Sequence, residues 1–419
     1  MIDPAQLTAF AASCQTESPP PPAARLLSIW EITSWILPMA PEHLRRVLAA
    51  DPNLPQGQAG TEGGTRWFTP AEVATLRGHF AQGPRRARYQ PQLPATAPLV
   101  VLAQPLGQAG RSRAAQDLAS AAALAGWRVL LIDAAPEGHL ARDLGCAPAP
   151  GAGLLSLLAK SAGQHLRRAN EARLDRGEPP LPMPDLLAEA QGQSAADLIR
   201  PSRWPGLEVL AAQDLLQADA QIAGWQMQMR GWRPGQALMA ICQDEGLRRR
   251  YDLILLDPGR GLGPLALTAL VAADLLLAPL PLQQGALARL GAGLAGLAAA
   301  GAALQAEAQM TARALGQTAA PLPWQRLLVL PMGISTLGSS GIGSAENLLP
   351  GFAAKLGELP AGAVLLPNGL PASPAPLYDL DYRDLGRQSY TPLREAGEAA
   401  WQGLAAQLVA EATVHPRLL

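Results

Sequence analysis

Lysine is almost missing from this 419-residue chain. It occurs twice, at Lys160 and Lys355, and arginine supplies nearly all of the positive charge. Any chemistry that needs an ammonium group must use one of those two positions. Cysteine is scarce as well: Cys14, Cys146 and Cys242 are too few and too scattered for a disulfide framework or a zinc site. The five histidines show no metal-ligand spacing. Aromatic residues make up 4% of the chain, so the core must rest on Leu, Ala and Val within a hydrophobic content of 48%. Net charge is close to nil; the formal value of −1 excludes a uniformly basic nucleic-acid coat protein and leaves room only for a local basic patch. The first residues carry Asp3 and no basic group, unlike a signal peptide. Leu265–Leu282 is interrupted by Asp274, Pro279 and Pro281, and the Ala/Gly-rich Gly285–Leu304 contains Arg289, so neither reads as a membrane span. The expectation is a soluble cytoplasmic protein with no membrane partner.

At roughly 150 residues per domain, the length points to two or three domains. Residues 1–23 are polar, run into Ser18-Pro19-Pro20-Pro21-Pro22 and read as a disordered tail. Residues 24–82 hold short helical patterns, and 83–97 form an Arg/Pro/Gln linker. Residues 98–419 read as an α/β domain: strands alternate with helices, as in a doubly wound, mostly parallel sheet. Within it, the polar and Pro-rich 160–195 reads as an exposed insertion, and Glu395–Ala412 as a closing amphipathic helix.

The informative stretch is the first strand–loop–helix of that domain. Leu99-Val100-Val101-Leu102-Ala103 is a continuous apolar run, as in a buried parallel strand. Ala114–Ala125 has helical composition and stops at Gly126. Between them lies Gln104-Pro105-Leu106-Gly107-Gln108-Ala109-Gly110-Arg111-Ser112-Arg113, and Arg128–Asp133 forms a second strand. A loop of this length between strand and helix can wrap phosphate with backbone N–H groups and a helix N-terminus. It can equally be the connecting loop of a nucleotide-free sheet.

The loop resembles the deviant Walker A of the ParA/MinD family, Lys-Gly-Gly-x-Gly-Lys-Thr-Thr. In that register Leu106 and Arg111 stand where lysines belong, Gln108 replaces a glycine, and Arg113 replaces the second threonine. Gly107, Gly110 and Ser112 keep their types. Asp133 matches the first aspartate of the family's Asp-x-Asp-Pro-Gln strand end, and Ala135 takes the place of the second, which helps to position the attacking water. Tyr251–Pro258 resembles the Walker B strand, with Asp257 its magnesium-side carboxylate. The resemblance implies a P-loop fold in which Gly107, Gly110, Arg111, Ser112, Arg113 and Asp257 would hold ATP. Ser112 and Asp257 would serve its Mg2+, with Asp133 the remaining catalytic carboxylate. A planar guanidinium does not replace an ammonium, and electrostatic stabilisation is most of phosphoryl-transfer catalysis. ATP hydrolysis is therefore expected to be slow or lost, and the alternative expectation is that no cofactor binds.

Wider resemblance points to the RepA-type plasmid partition proteins of alphaproteobacterial repABC replicons. It rests on Asp197-Leu198-Ile199-Arg200-Pro201 with Trp204–Val209, on Gly261–Leu270, and on Leu377-Tyr378-Asp379 with Thr391-Pro392-Leu393. In residues 24–82, Leu27–Ile36 and Pro41–Ala50 read as helix, turn, helix, and Thr69 and Glu72 form a capping box for a further helix. The family has a winged helix-turn-helix here. By that resemblance, His43, Arg45 and Arg46 lie on a recognition helix and Arg66 on the wing, where arginines reach guanine or phosphate. Arg85, Arg86 and Arg88 in the linker, and Arg383 and Arg387 near the C-terminus, are further candidate DNA contacts. The alternative is a small helical module with solvated arginines, or a dimerisation arm. The resemblance implies plasmid, chromosome or cargo partition by a nucleoid-associated protein. It would bind DNA and a ParB-type partner, as a homodimer or as a heterodimer with an active paralogue. The rival reading is a nucleotide-free scaffold.

Overall fold

The computed structural model describes residues 24–60, 66–84, 86–103, 110–135, 138–146, 153–211, 218–229, 231–259, 261–282, 285–314, 316, 318–319, 322, 324–334, 357–358 and 362–414. The expected tail, the wing residues 63–65, Arg85 and Gly107 lie outside them.

The first described elements are β1 (Leu27–Ser28), α1 (Ile29–Glu31, continued by a π turn over Ile32–Ile36), α2 (Pro41–Ala50), β2 (Gln58–Ala59), β3 (Arg66–Phe68) and α3 (Pro70–Phe80). The three strands pair antiparallel in the order β1-β3-β2. The capping box is present: the Thr69 hydroxyl accepts from Glu72 N–H, and the Glu72 carboxylate accepts from Thr69 N–H.

The α/β domain is built on a mostly parallel sheet. Its principal elements are β4 (Leu99–Leu102), α4 (Arg111–Leu124), β5 (Val129–Asp133), α5 (Leu154–Asp175), β6 (Ile199–Pro201), β7 (Leu207–Leu210), α6 (Ala218–Gln228), α7 (Pro234–Asp244), β8 (Leu253–Asp257), α8 (Pro264–Ala272), β9 (Leu275–Pro281), α9 (Ala286–Ala314), β10 (Arg326–Ile334), β11 (Ala363–Leu365), β12 (Leu370–Pro371) and α10 (Arg387–Val414). Among the described residues the strand order is β11-β10-β9-β4-β8-β5-β7-β6, with β12 beside β10. Among the described strands of this sheet, only the edge strand β6 runs antiparallel. The apolar runs read in the sequence serve two faces at once. Val100 and Leu102 of β4 enter the core shared with α4 and α10, while Leu99 and Val101 enter the core on the opposite face. Gly126, at φ 94°, ends the turn after α4 in the left-handed region.

Three segments depart from expectation. Part of the exposed insertion 160–195 is core: Ala162, Leu166, Leu187 and Ala190 are buried. Polar composition on one helix face hid the apolar stripe on the other. The closing helix starts at Arg387 rather than Glu395 and carries Pro392 inside it. Burial of Tyr390 and Leu393 on either side of the proline outweighs the lost hydrogen bond. The linker is fastened rather than loose: Tyr89 is buried against Phe80, with ring centroids 5.3 Å apart. The N-terminal module thus shares one core with the α/β domain, from Leu27 and Ile32 to Trp127, Tyr378 and Trp401. α9 alone among the described helices has the length and composition to cross a membrane, at a mean hydropathy of 1.5. Its face of Ala286, Leu290, Gly293, Leu297 and Gly301 is buried in the protein.

Candidate nucleotide site and module surface

The C-terminal ends of β4, β5 and β8 meet the N-terminus of α4. Gly110 enters the helix at φ 65°, a left-handed conformation that favours glycine, and a Cβ there would meet only the flexible tip of Met332, at 3.2 Å from Cε. Gly110 gives no side-chain cap, and the first turn of α4 carries no acidic residue. That end of the helix therefore presents N–H groups and a positive dipole, a setting suited to an anion.

Two carboxylates lie beside it. Asp133 and Asp257 are direct partners across the β5–β8 pair, and both are fully buried. The Ser112 hydroxyl donates to Asp257 Oδ2 at 2.6 Å, and Gly259 N–H donates to Asp257 Oδ1 at 3.1 Å. Asp133 accepts from Ala135 N–H at 3.1 Å and Leu140 N–H at 3.2 Å. Burial first, and then the charge of Asp257, push the Asp133 carboxyl up to about 7, with the backbone donors opposing. Ala135 is buried and offers no second carboxylate. A hydroxyl and a carboxylate in contact form an oxygen donor set of the kind magnesium takes, so this half of the site fits a metal–nucleotide group.

The basic half is arranged differently. Arg111, expected on phosphate, opens α4 with 8% exposure in a crevice lined by Leu102, Pro258, Leu262, Ala266 and Leu270. Arg113, also expected with the cofactor, donates instead to Asp117 Oδ2 at 2.9 Å and Ser373 Oγ at 2.7 Å. Asp117 was missed in the sequence. Its Oδ1 accepts Leu377 N–H at 2.7 Å, which ties α4 to the segment before α10. Burial pushes its carboxyl up to about 6, with Arg113 and Leu377 opposing. The signal was present: Asp117 is the one acid in an otherwise Ala/Leu-rich helix.

On the N-terminal module, Arg45 and Arg46 stand exposed on α2, Arg45 near Glu42 at 3.4 Å. His43 is half-buried, its ring 6.4 Å from that of Phe80. Arg66 donates to the Gln56 carbonyl at 3.0 Å and to its side chain at 2.8 Å. Arg86 and Arg88 are exposed on a short 3-10 turn. The C-terminal candidates, far away in sequence, come to the same module. Arg383 pairs with Asp381 and lies 4.3 Å over the Trp67 ring, and Arg387 lies 4.4 Å over Trp30.

With this geometry in place, comparison with known proteins is informative. Residues 98–306 match the family model described as an AAA domain. The chromosome-partitioning ATPase Soj of Thermus thermophilus is 30% identical over 201 residues, which is 48% of this chain and 59% of that protein. These matches support the ParA/MinD superfamily. A solved structure described as a partition protein shares the fold of this chain at a TM-score of 0.55 and 16% identity, covering 98% of this chain and 97% of its own. The cell division ATPase MinD of Pyrococcus furiosus superposes at a TM-score of 0.42 and 16% identity, over 74% of this chain and 99% of its own.

Proposed function

We propose that this chain is a partition protein of the RepA type, cytoplasmic and nucleoid-associated. In this reading it binds DNA through its N-terminal module, works with a ParB-type partner as a dimer, and hydrolyses ATP slowly or not at all. The observation that carries the nucleotide part is the 2.6 Å contact between Ser112 and Asp257 at the uncapped N-terminus of α4. Bound ATP with Mg2+ would supply a phosphoanhydride and a Lewis acid. The N–H groups of α4 would face its phosphates, while Ser112 and Asp257 would hold the metal. Asp133 has no carboxylate neighbour at position 135 with which to orient water, and neither lysine of the chain falls within the loop 104–113. Loss of such preorganised charges costs several kcal/mol of transition-state stabilisation. The DNA part is supported by the sheet order β1-β3-β2 around two successive helices, and by exposed Arg45 and Arg46 on the second of them.

Thermal melting with millimolar ATP–Mg2+ tests the nucleotide part, because a ligand that binds the native state raises the midpoint. A rise is expected, with γ-phosphate release near background, and Arg111→Lys should increase turnover at least about tenfold. DNA binding measured over a salt series tests the module; replacing Arg45 and Arg46 by Ala should lower the salt slope by about 1 for each lost phosphate contact. One observation favours a second reading. Arg111 is packed among apolar side chains, as suits a nucleotide-free scaffold that pairs with an active paralogue. An unmoved melting midpoint would select that reading.

A further inference from the structure

The seam between the N-terminal module and the α/β domain contains an open groove of about 310 Å3. Helix α3 forms one wall, and the turn from α4 into β5, with Pro205-Gly206, forms the other. The lining is mostly apolar, with the Tyr89 and Trp127 rings and Pro70, Pro91 and Pro205. Two arginines line it: Arg128, which pairs with Asp252 at 2.7 Å, and Arg77. Arg77 donates to the carbonyls of Tyr89 at 3.3 Å, Ile36 at 2.8 Å and Leu124. These are the C-terminal ends of the short 3-10 turn, the π turn and α4, and their dipoles suit a guanidinium.

All of these partners are neutral carbonyls, and together they take three of the five N–H groups of the Arg77 guanidinium. Burial lowers the pKa of this guanidinium to about 10, with the charge of Glu398 opposing. A desolvated cation of this kind gains from an anion that completes its hydrogen bonds. Ligand sites occur preferentially at domain interfaces, in largely apolar clefts of roughly 300–1,000 Å3 with a few placed polar groups.

We propose that this groove binds a small apolar monocarboxylate, its acid group on Arg77 and its hydrocarbon part against Tyr89, Trp127 and the prolines. The site stands apart from both the nucleotide and the DNA readings. Occupancy places the ligand where α3 grips the C-terminus of the loop-bearing helix α4.

The test titrates the full-length chain by calorimetry with 4-phenylbutyrate and with its neutral twin, 4-phenyl-1-butanol. Saturable binding is expected, at least about tenfold tighter for the carboxylate, the difference a charge-assisted hydrogen bond makes. Gly78 lines the groove on α3, and nothing lies within 4 Å of a Cβ built there. Gly78→Leu therefore fills the space without disturbing Arg77. It should weaken carboxylate binding at least about tenfold while the melting temperature does not fall. Absence of saturable carboxylate binding, equal binding of acid and alcohol, or unchanged affinity in the Gly78→Leu protein would each overturn the proposal.

Discussion

Each end of α4 meets an arginine, half-buried Arg77 at one and buried Arg111 at the other, and the two are explained by different physics. At the C-terminal end, Arg77 of the N-terminal module donates to Leu124 and to two other terminal carbonyls. Positive charge is favoured there by the helix dipole. Gly126, left-handed and 2.9 Å from Arg77 Cδ at its would-be Cβ, leaves room for the stem. At the N-terminal end, Arg111 and Arg113 sit at the positive pole, beside two buried carboxylates and an uncapped first turn. Local helix energetics does not favour arginine there. The comparison separates a cation that holds the fold together from cations whose placement answers to the site.

Substitutions that sharpen this contrast follow in order of expected size. Arg77→Met should cost the most, about 3 kcal/mol, because three carbonyls lose a charged donor at once; urea denaturation measures it. Asp133→Asn should act in the opposite direction. The folded state holds the Asp133 proton up to about 7 against an ordinary 3.8, so it binds more protons than the unfolded chain between those values. Stability accordingly falls as pH rises through that window and is level above it. The asparagine protein should lack this fall and be more stable by about 2 kcal/mol near pH 8, with little difference below about pH 4; urea midpoints across pH decide it. Gly126→Ala should cost about 1–2 kcal/mol, from the left-handed backbone and the clash with Arg77, read as a lowered melting temperature. Arg111→Met should be the mildest, within about 1 kcal/mol, since it fits an apolar crevice and removes charge from the positive helix end. A loss as large as that of Arg77→Met would erase the distinction between the two ends.

Much of the frame was legible in advance. Continuous apolar runs marked β4 and β5, and the resemblance to the family's motifs placed β8 and set Asp133 and Asp257 at the strand ends. Ser112 was expected beside Asp257, and the two are in contact. The direction taken by Arg111 and Arg113 was not legible, because a loop motif specifies position along the chain and leaves rotamer and partner to the packing around it. Asp117 escaped for the same reason: its acceptor role toward Leu377 spans 260 residues. Arg383 and Arg387 read as a patch of their own until Trp67 and Trp30 brought them to the module.

What the chain determined by itself is therefore the local and periodic part: the buried strands, the Thr69–Glu72 cap, the glycines at 110 and 126, and a loop before α4 that holds no lysine. These depend on a few neighbouring residues and on backbone conformation. Only the tertiary structure decided which cations serve the fold, which lie near the loop, and how the module shares a core with the sheet. Those outcomes depend on groups hundreds of residues apart whose energies arise only once they are desolvated against one another.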